Sequence, residues 1–207
     1  MHHDEKLRDK LITYIEDAYA MENQIVETLE KQVKETQKFP DIQARIQQHL
    51  DATREHRTRM EERLAFYNKK PSAVKGAITN VMGNVVGALG TTRRDTLAMT
   101  ARDDYMTEHM EIAAYELLIA TAQVFGDTDT IRACELNLRD EVAMAQWLQQ
   151  GMPRTALLSL REDGINIPDQ ALLSAESVVS NALQSAQTML PGQMTGQTTT
   201  TTLPPTM

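Results

Sequence analysis

Four stretches of this chain contain neither glycine nor proline and carry apolar residues at steps of three and four, the pattern of long amphipathic helices. The first, Asp4 to Thr36, has Leu7, Leu11, Tyr14, Ala18, Ile25, Leu29 and Val33 on its stripe. Phe39-Pro40 breaks it, and Asp41 opens a second that runs to about Tyr67 with Ile42, Ile46, Met60 and Leu64. The third covers about Asp95 to Phe125, with Leu97, Ala101, Tyr105, Tyr115, Leu118 and Ala122, and Gly126-Asp127 closes it. The fourth runs from Thr128 to Gln150 through Ile131, Cys134, Leu138, Ala145 and Leu148, with Gly151 and Pro153 as its expected stop. No segment alternates with the period of a strand.

The links between helices one and two and between three and four are short, which makes each pair antiparallel neighbours. A long connection joins the second helix to the third. Its Ser72 to Gly90 portion, with Gly76, Gly83, Gly87 and Gly90, reads as a weak helix or a loose crossover. One long crossover in an all-α chain is the wiring of a ferritin-like four-helix bundle. The bundle is expected over residues 1–151 and a helical extension over 152–190. That extension would hold a short helix at Thr155–Leu160 and a longer one from Pro168-Asp169 to about Leu190. Residues 191–207, built of Gly, Gln, Thr and Pro, cannot bury enough apolar area to repay ordering and are expected to be disordered.

Composition agrees and excludes some functions. The chain is 41% hydrophobic but only 4% aromatic, which favours helices of unbranched side chains. A net charge of -8 and a pI near 5.1 argue against a nucleic-acid partner, which needs excess Lys and Arg. Cys134 is the single cysteine, so neither an intramolecular disulfide nor a thiolate zinc site can form. No apolar run approaches the ~18 residues of a membrane span, and Met1 to Lys10 lacks the apolar core of a secretory signal. A cytoplasmic setting is the expectation.

The chemistry lies in what interrupts the stripes. Glu22 falls between Ala18 and Ile25; His49, Thr53 and His56 fall between Ile46 and Met60. Glu108 and Glu111 lie between Tyr105 and Tyr115, and Glu141 between Leu138 and Ala145. Buried carboxylates must protonate, pair or coordinate a cation. Arg54, Arg57, Arg59 and Arg139 lie nearby in sequence, but in phases that point sideways or outward. A metal held by Glu22, His56, Glu108, Glu111 and Glu141 is the simplest partner, with His49 and His109 as secondary candidates. Carboxylate oxygen with imidazole and no thiolate suits iron or manganese, one or two ions, with zinc also compatible. A lone Glu on a stripe is commonly a boundary residue reaching solvent, and a lone His commonly a hydrogen-bonded core residue. Four helices each carrying such a residue at matching depth make a stronger pattern.

At these residues the chain resembles the YciE/YciF-type stress-associated ferritin-like family. The run from Glu108 through His109, Glu111 and Tyr115 to Leu117 looks like that family's signature, and Asp17 to Glu22 is similar to its first-helix motif. His49 to Thr53 and Arg139 to Glu141 match more loosely. The resemblance spans about Leu7 to Gln150. It implies a bundle, often dimeric, associated with bacterial stress responses and without a settled activity. It also implies site roles for Glu22, Glu108, His109, Glu111 and Glu141. This chain departs from it at Ala52, where the family commonly has Glu, at His56 for Gln, and at Ala145 for Asp. Those departures favour an asymmetric site over a symmetric di-metal one.

Two functions follow as expectations. One is a metal-binding protein of stress protection that, if redox active, takes oxygen or peroxide at open coordination positions. Tyr115, one turn from Glu111, is then a candidate electron donor, though a core aromatic at that position needs no such role. The other is a structural or interaction protein that keeps the fold around a degenerate site. A hollow storage cage is less well supported, because nothing in the sequence specifies its contacts.

Overall fold

The computed structural model describes residues 2–70 and 96–188, so the crossover and the Thr-rich tail lie outside the described residues. Among the described residues five helices follow in order: α1 (His2–Glu35), α2 (Pro40–Phe66), α3 (Thr96–Phe125), α4 (Thr128–Glu162) and α5 (Asp169–Thr188). No strand occurs among the described residues, and none of these helices is long and apolar enough to cross a membrane. The architecture is an all-α bundle.

Each turn has a local cause. Pro40 opens α2 at a position where its missing N–H costs nothing, and the Gln43 side chain donates to the Val33 carbonyl at the end of α1 (2.9 Å). Gly126 takes φ +84°, which lets its own N–H and that of Asp127 close on the Ala122 carbonyl (2.8 and 3.0 Å). Asp127 then caps α4, accepting from the Thr130 N–H at 3.0 Å. The same carboxylate receives the Tyr67 hydroxyl (2.6 Å) and both-oxygen contacts from Arg63 (3.0 Å each), which ties the end of α2 to the α3–α4 turn.

Helices α1 and α2 form one antiparallel pair and α3 and α4 the other; α1 against α3 and α2 against α4 close the square. Leu11, Ile15, Ile25, Met60, Leu64, Leu118, Cys134 and Met144 fill the interior. Cys134 is buried, as its place on the α4 stripe implies.

The fourth helix does not stop at Gly151. It passes through Pro153 to Glu162 and absorbs the separate short helix expected at Thr155–Leu160. Proline removes one backbone donor, to the carbonyl of exposed Gln149, which water can serve. Packing beyond that point holds the helix. Thr155, Leu158 and Ser159 are buried, the Thr155 hydroxyl returns to the Gly151 carbonyl (2.9 Å), and Ser159 Oγ accepts the Ala98 N–H near the start of α3 (2.8 Å). Helix α5 folds back on α4, inserting Leu172 and Ala175 while Leu173 and Leu183 face outward.

Candidate metal centre

The stripe interruptions meet at mid-height of the bundle. Glu22 comes from α1, His49 and His56 from α2, Glu108 and Glu111 from α3, and Glu141 from α4; none is more than 2% exposed. His49 and His56 stand seven residues apart, two helical turns, and so share a face. His49 is held in addition through its carbonyl, which accepts the Thr53 hydroxyl at 2.9 Å.

Two groups of potential ligand atoms form, each with all its atoms within 4.8 Å of one another. One comprises His49, Glu108, Glu111 and Glu141; the other Glu22, His56 and Glu141. Glu141 belongs to both. Its Oε2 lies 3.6 Å from His49 Nε2, and its Oε1 lies 2.8 Å from His56 Nδ1. His49 Nε2 is also 3.1 Å from Glu108 Oε1, and His56 Nδ1 is 3.8 Å from Glu22 Oε2. These approaches lack hydrogen-bond alignment. Glu22 Oε2, His49 Nε2, His56 Nδ1, Glu108 Oε2 and both oxygens of Glu111 and Glu141 find no hydrogen-bond partner among the described residues. Buried polar atoms are normally satisfied, so eight orphans in one cluster form a group that could hold a cation.

Electrostatics gives the same account. Burial, reinforced by the Glu141 carboxylate, pushes Glu22 up to about 8, and burial with Glu141 drives Glu108 and Glu111 well above the ordinary carboxyl range. Burial lowers His49 to about 4, leaving a neutral imidazole with a lone pair to give. Burial opposes protonation of His56 too, but the adjoining Glu141, Glu22 and Asp140 outweigh it and raise its pKa.

A second layer orients the first. The Tyr115 hydroxyl donates to Glu22 Oε1 in a short hydrogen bond. Asn137 Nδ2 donates to that hydroxyl at 2.8 Å, and Arg59 donates to Asn137 Oδ1 at 2.8 Å. His56 turns its Nε2 to Asp140 (3.3 Å), which Arg139 holds in turn (2.9 Å). A carboxylate behind an imidazole fixes the ring and raises its basicity as a ligand.

The six residues Glu22, His49, His56, Glu108, Glu111 and Glu141 thus come together. His109 does not: it is exposed, about 100° around α3 from Glu108, and rests edge-on against Tyr105 with ring centres 4.5 Å apart. Arg59, expected to point away, reaches the cluster through Asn137. Asn137, Asp140 and the Tyr115–Glu22 bond were not among the sequence expectations. The available signal was spacing, since Asn137 precedes Glu141 by one turn and Tyr115 follows Glu111 by one.

Fold and cluster define an all-α bundle with a buried carboxylate–imidazole centre. The chain belongs to a family described as a domain of unknown function, DUF892, whose model matches residues 6–160. Two of the solved structures that share the fold illustrate the likeness. A Xanthomonas campestris pv. campestris protein is 25% identical, with a TM-score of 0.61 over 77% of this chain and 99% of its own. YcfI of Rhodopseudomonas palustris, provisionally described as a structural protein, is 27% identical, with a TM-score of 0.59 over 69% of this chain and 92% of its own.

Proposed function

We propose that this is a metal-binding ferritin-like protein of the YciE/YciF type, holding iron or manganese in the bundle core and serving bacterial stress protection in the cytoplasm. The observation that carries the reading is the set of buried, unpartnered ligand atoms divided into two groups that share Glu141. Charge supports it: four carboxylates and two imidazoles, neutral once they coordinate, balance two divalent cations, whereas the same carboxylates ionised without cations are strongly destabilising.

One ion would be held by His49, Glu108, Glu111 and Glu141, the other by Glu22, His56 and Glu141, the second set having fewer protein ligands. A bound iron or manganese supplies Lewis acidity and one-electron redox chemistry. The chain's own part is to keep Glu22 oriented through the Tyr115 hydroxyl, to hold the His56 ring against Asp140, and to keep both groups buried away from water. Tyr115, hydrogen-bonded to Glu22, would be a candidate donor of an electron to a bound, oxidised metal, with Glu22 as the acceptor of its proton.

The test is anaerobic titration with ferrous ion, then oxygen exposure followed by optical spectroscopy, together with metal analysis of the purified protein. The reading expects first-row metal bound more tightly than about micromolar; a protein that binds none sinks it. A second reading, a structural protein with a degenerate site, draws on Ala52 and Ala145 and on the provisional description of YcfI. It expects no metal in the purified protein and no loss of assembly when Glu141 is replaced.

A further inference from the structure

One inward carboxylate takes no part in the cluster. Asp104 precedes Glu108 by four residues and Glu111 by seven, so it continues the ligand face of α3 by one turn, about 6 Å along the axis. It receives the Gln32 amide at 2.7 Å and pairs with no Lys or Arg among the described residues. Arg45, at this end of the bundle, stacks instead over Trp147, 5.9 Å from the ring centre. Gln32 is only 6% exposed, and its Oε1 has no hydrogen-bond partner. Next to the carboxylate, then, lies a buried amide oxygen with nothing to accept. Asp104 also lines a cavity of about 30 Å³, room for one or two waters, framed by α2, α3, α4 and Thr36 at the end of α1. Its walls are apolar, from Ile42, Ile46, Leu97, Trp147 and Leu148, while Thr100, Ala101 and Gly151 at its edge are part exposed. Ile46 stands one turn from His49, as Asp104 does from Glu108, and His49 Nε2 lies 3.1 Å from Glu108 Oε1. The cavity therefore sits over the His49–Glu108 edge of the cluster. The opposite end of the bundle is filled by Leu11, Leu64, Leu118, Ala122 and Cys134, none more than 1% exposed.

We infer that this cavity is the port through which a divalent cation enters and leaves the centre, with Asp104 as the carboxylate it meets first and Glu108 as the next, an assignment that rests on the metal centre proposed above. Apolar walls around a single negative group focus its field toward the mouth, which raises the local cation concentration and the entry rate by about 10–1000-fold. An ion in so small a space sheds most of its water. The Asp104 carboxylate and the Gln32 amide oxygen replace part of that shell with the oxygen donors such cations prefer. Glu108 Oε2, itself without a partner, takes the ion on. The ion thus reaches the group of His49, Glu108, Glu111 and Glu141 first, and the Glu22–His56 group only past the shared Glu141.

Stopped-flow mixing of the metal-free full chain with cobalt(II), whose visible absorption reports coordination, separates rate from affinity. Asp104→Asn keeps an oxygen to accept the Gln32 amide, and Ala101→Leu fills the cavity from its edge. Both variants should load cobalt about tenfold or more slowly than wild type and release it to excess chelator more slowly by a similar factor. Final stoichiometry and affinity should stay within about threefold of wild type, because Asp104 lies on the path and not at its end. Raising the ionic strength should slow loading of wild type and leave Asp104→Asn nearly unaffected. Two variants that load at the wild-type rate would overturn the port while leaving the centre standing. So would an Asp104→Asn protein that loads at the wild-type rate but holds cobalt more weakly at equilibrium, which would make the carboxylate a ligand or a structural support. A wild type that binds no cobalt overturns the metal centre itself, and the port with it.

Discussion

Replacing Glu22 with glutamine should stabilise the metal-free protein while weakening its metal binding. Burial, with help from the Glu141 carboxylate, raises the Glu22 pKa from 4.5 to about 8. The unfolded chain releases this proton at the ordinary value, whereas the folded chain keeps it to about pH 8. The group therefore costs nothing below the unfolded pKa, and its penalty grows as pH rises between the two values. At about pH 7 the gap of roughly 2.5 pH units, at ~1.4 kcal/mol each, amounts to roughly 3–4 kcal/mol. Glutamine removes that term yet keeps an Oε1 to accept the Tyr115 hydroxyl. In the presence of a chelator, Glu22→Gln should melt roughly 6–12 °C above wild type near pH 7 and within a few degrees of it near pH 5. With a divalent metal present the order should reverse, because wild type alone keeps both ligand groups complete. Thermal or urea denaturation across this pH range reads all of it. A variant no more stable than wild type near pH 7, with no difference that shrinks on acidification, would refute the reasoning.

Glu141→Ala removes the carboxylate common to both groups, so elemental analysis after dialysis should find metal reduced at both positions, against one position for Glu22→Gln. Tyr115→Phe leaves Glu22 Oε1 and Asn137 without their partner; it should cost about 1–3 kcal/mol in urea denaturation and weaken metal binding roughly tenfold or more. Asp127→Ala strips the cap of α4 and leaves the largely buried Arg63 guanidinium without its two-oxygen partner. The expected loss is about 3 kcal/mol in chemical denaturation with metal binding unaffected, and a change under about 1 kcal/mol would show the capping cluster to be incidental.

The helices and the inward-facing residues were legible because helical period alone tells which face a residue lies on. Glu22, His56, Glu108, Glu111 and Glu141 interrupt apolar stripes, and the period that places Ala18 or Leu118 inside places them there too. The stop at Gly151 and Pro153 was misread for a matching reason. Proline's local penalty is visible in sequence, while the buried contacts of Thr155, Leu158 and Ser159 that outweigh it are not.

His49 and His109 show where local pattern ends. Both stand beside motif residues, and helical period puts His49 on the α2 stripe and His109 off the Glu108–Glu111 face, but only the packed bundle brings the first against Glu108 and Glu141 and rests the second on Tyr105. The bond from Tyr115 to Glu22 joins residues 93 positions apart, and the sharing of Glu141 between two groups depends on how far α4 is rotated and shifted against α1, α2 and α3. Periodicity carries a residue's angle around its own helix axis, and so the sequence contained which groups would be buried. It carries neither the rotation nor the axial offset of one helix against another, and so the meeting of particular atoms waited on side-chain packing across all four helices.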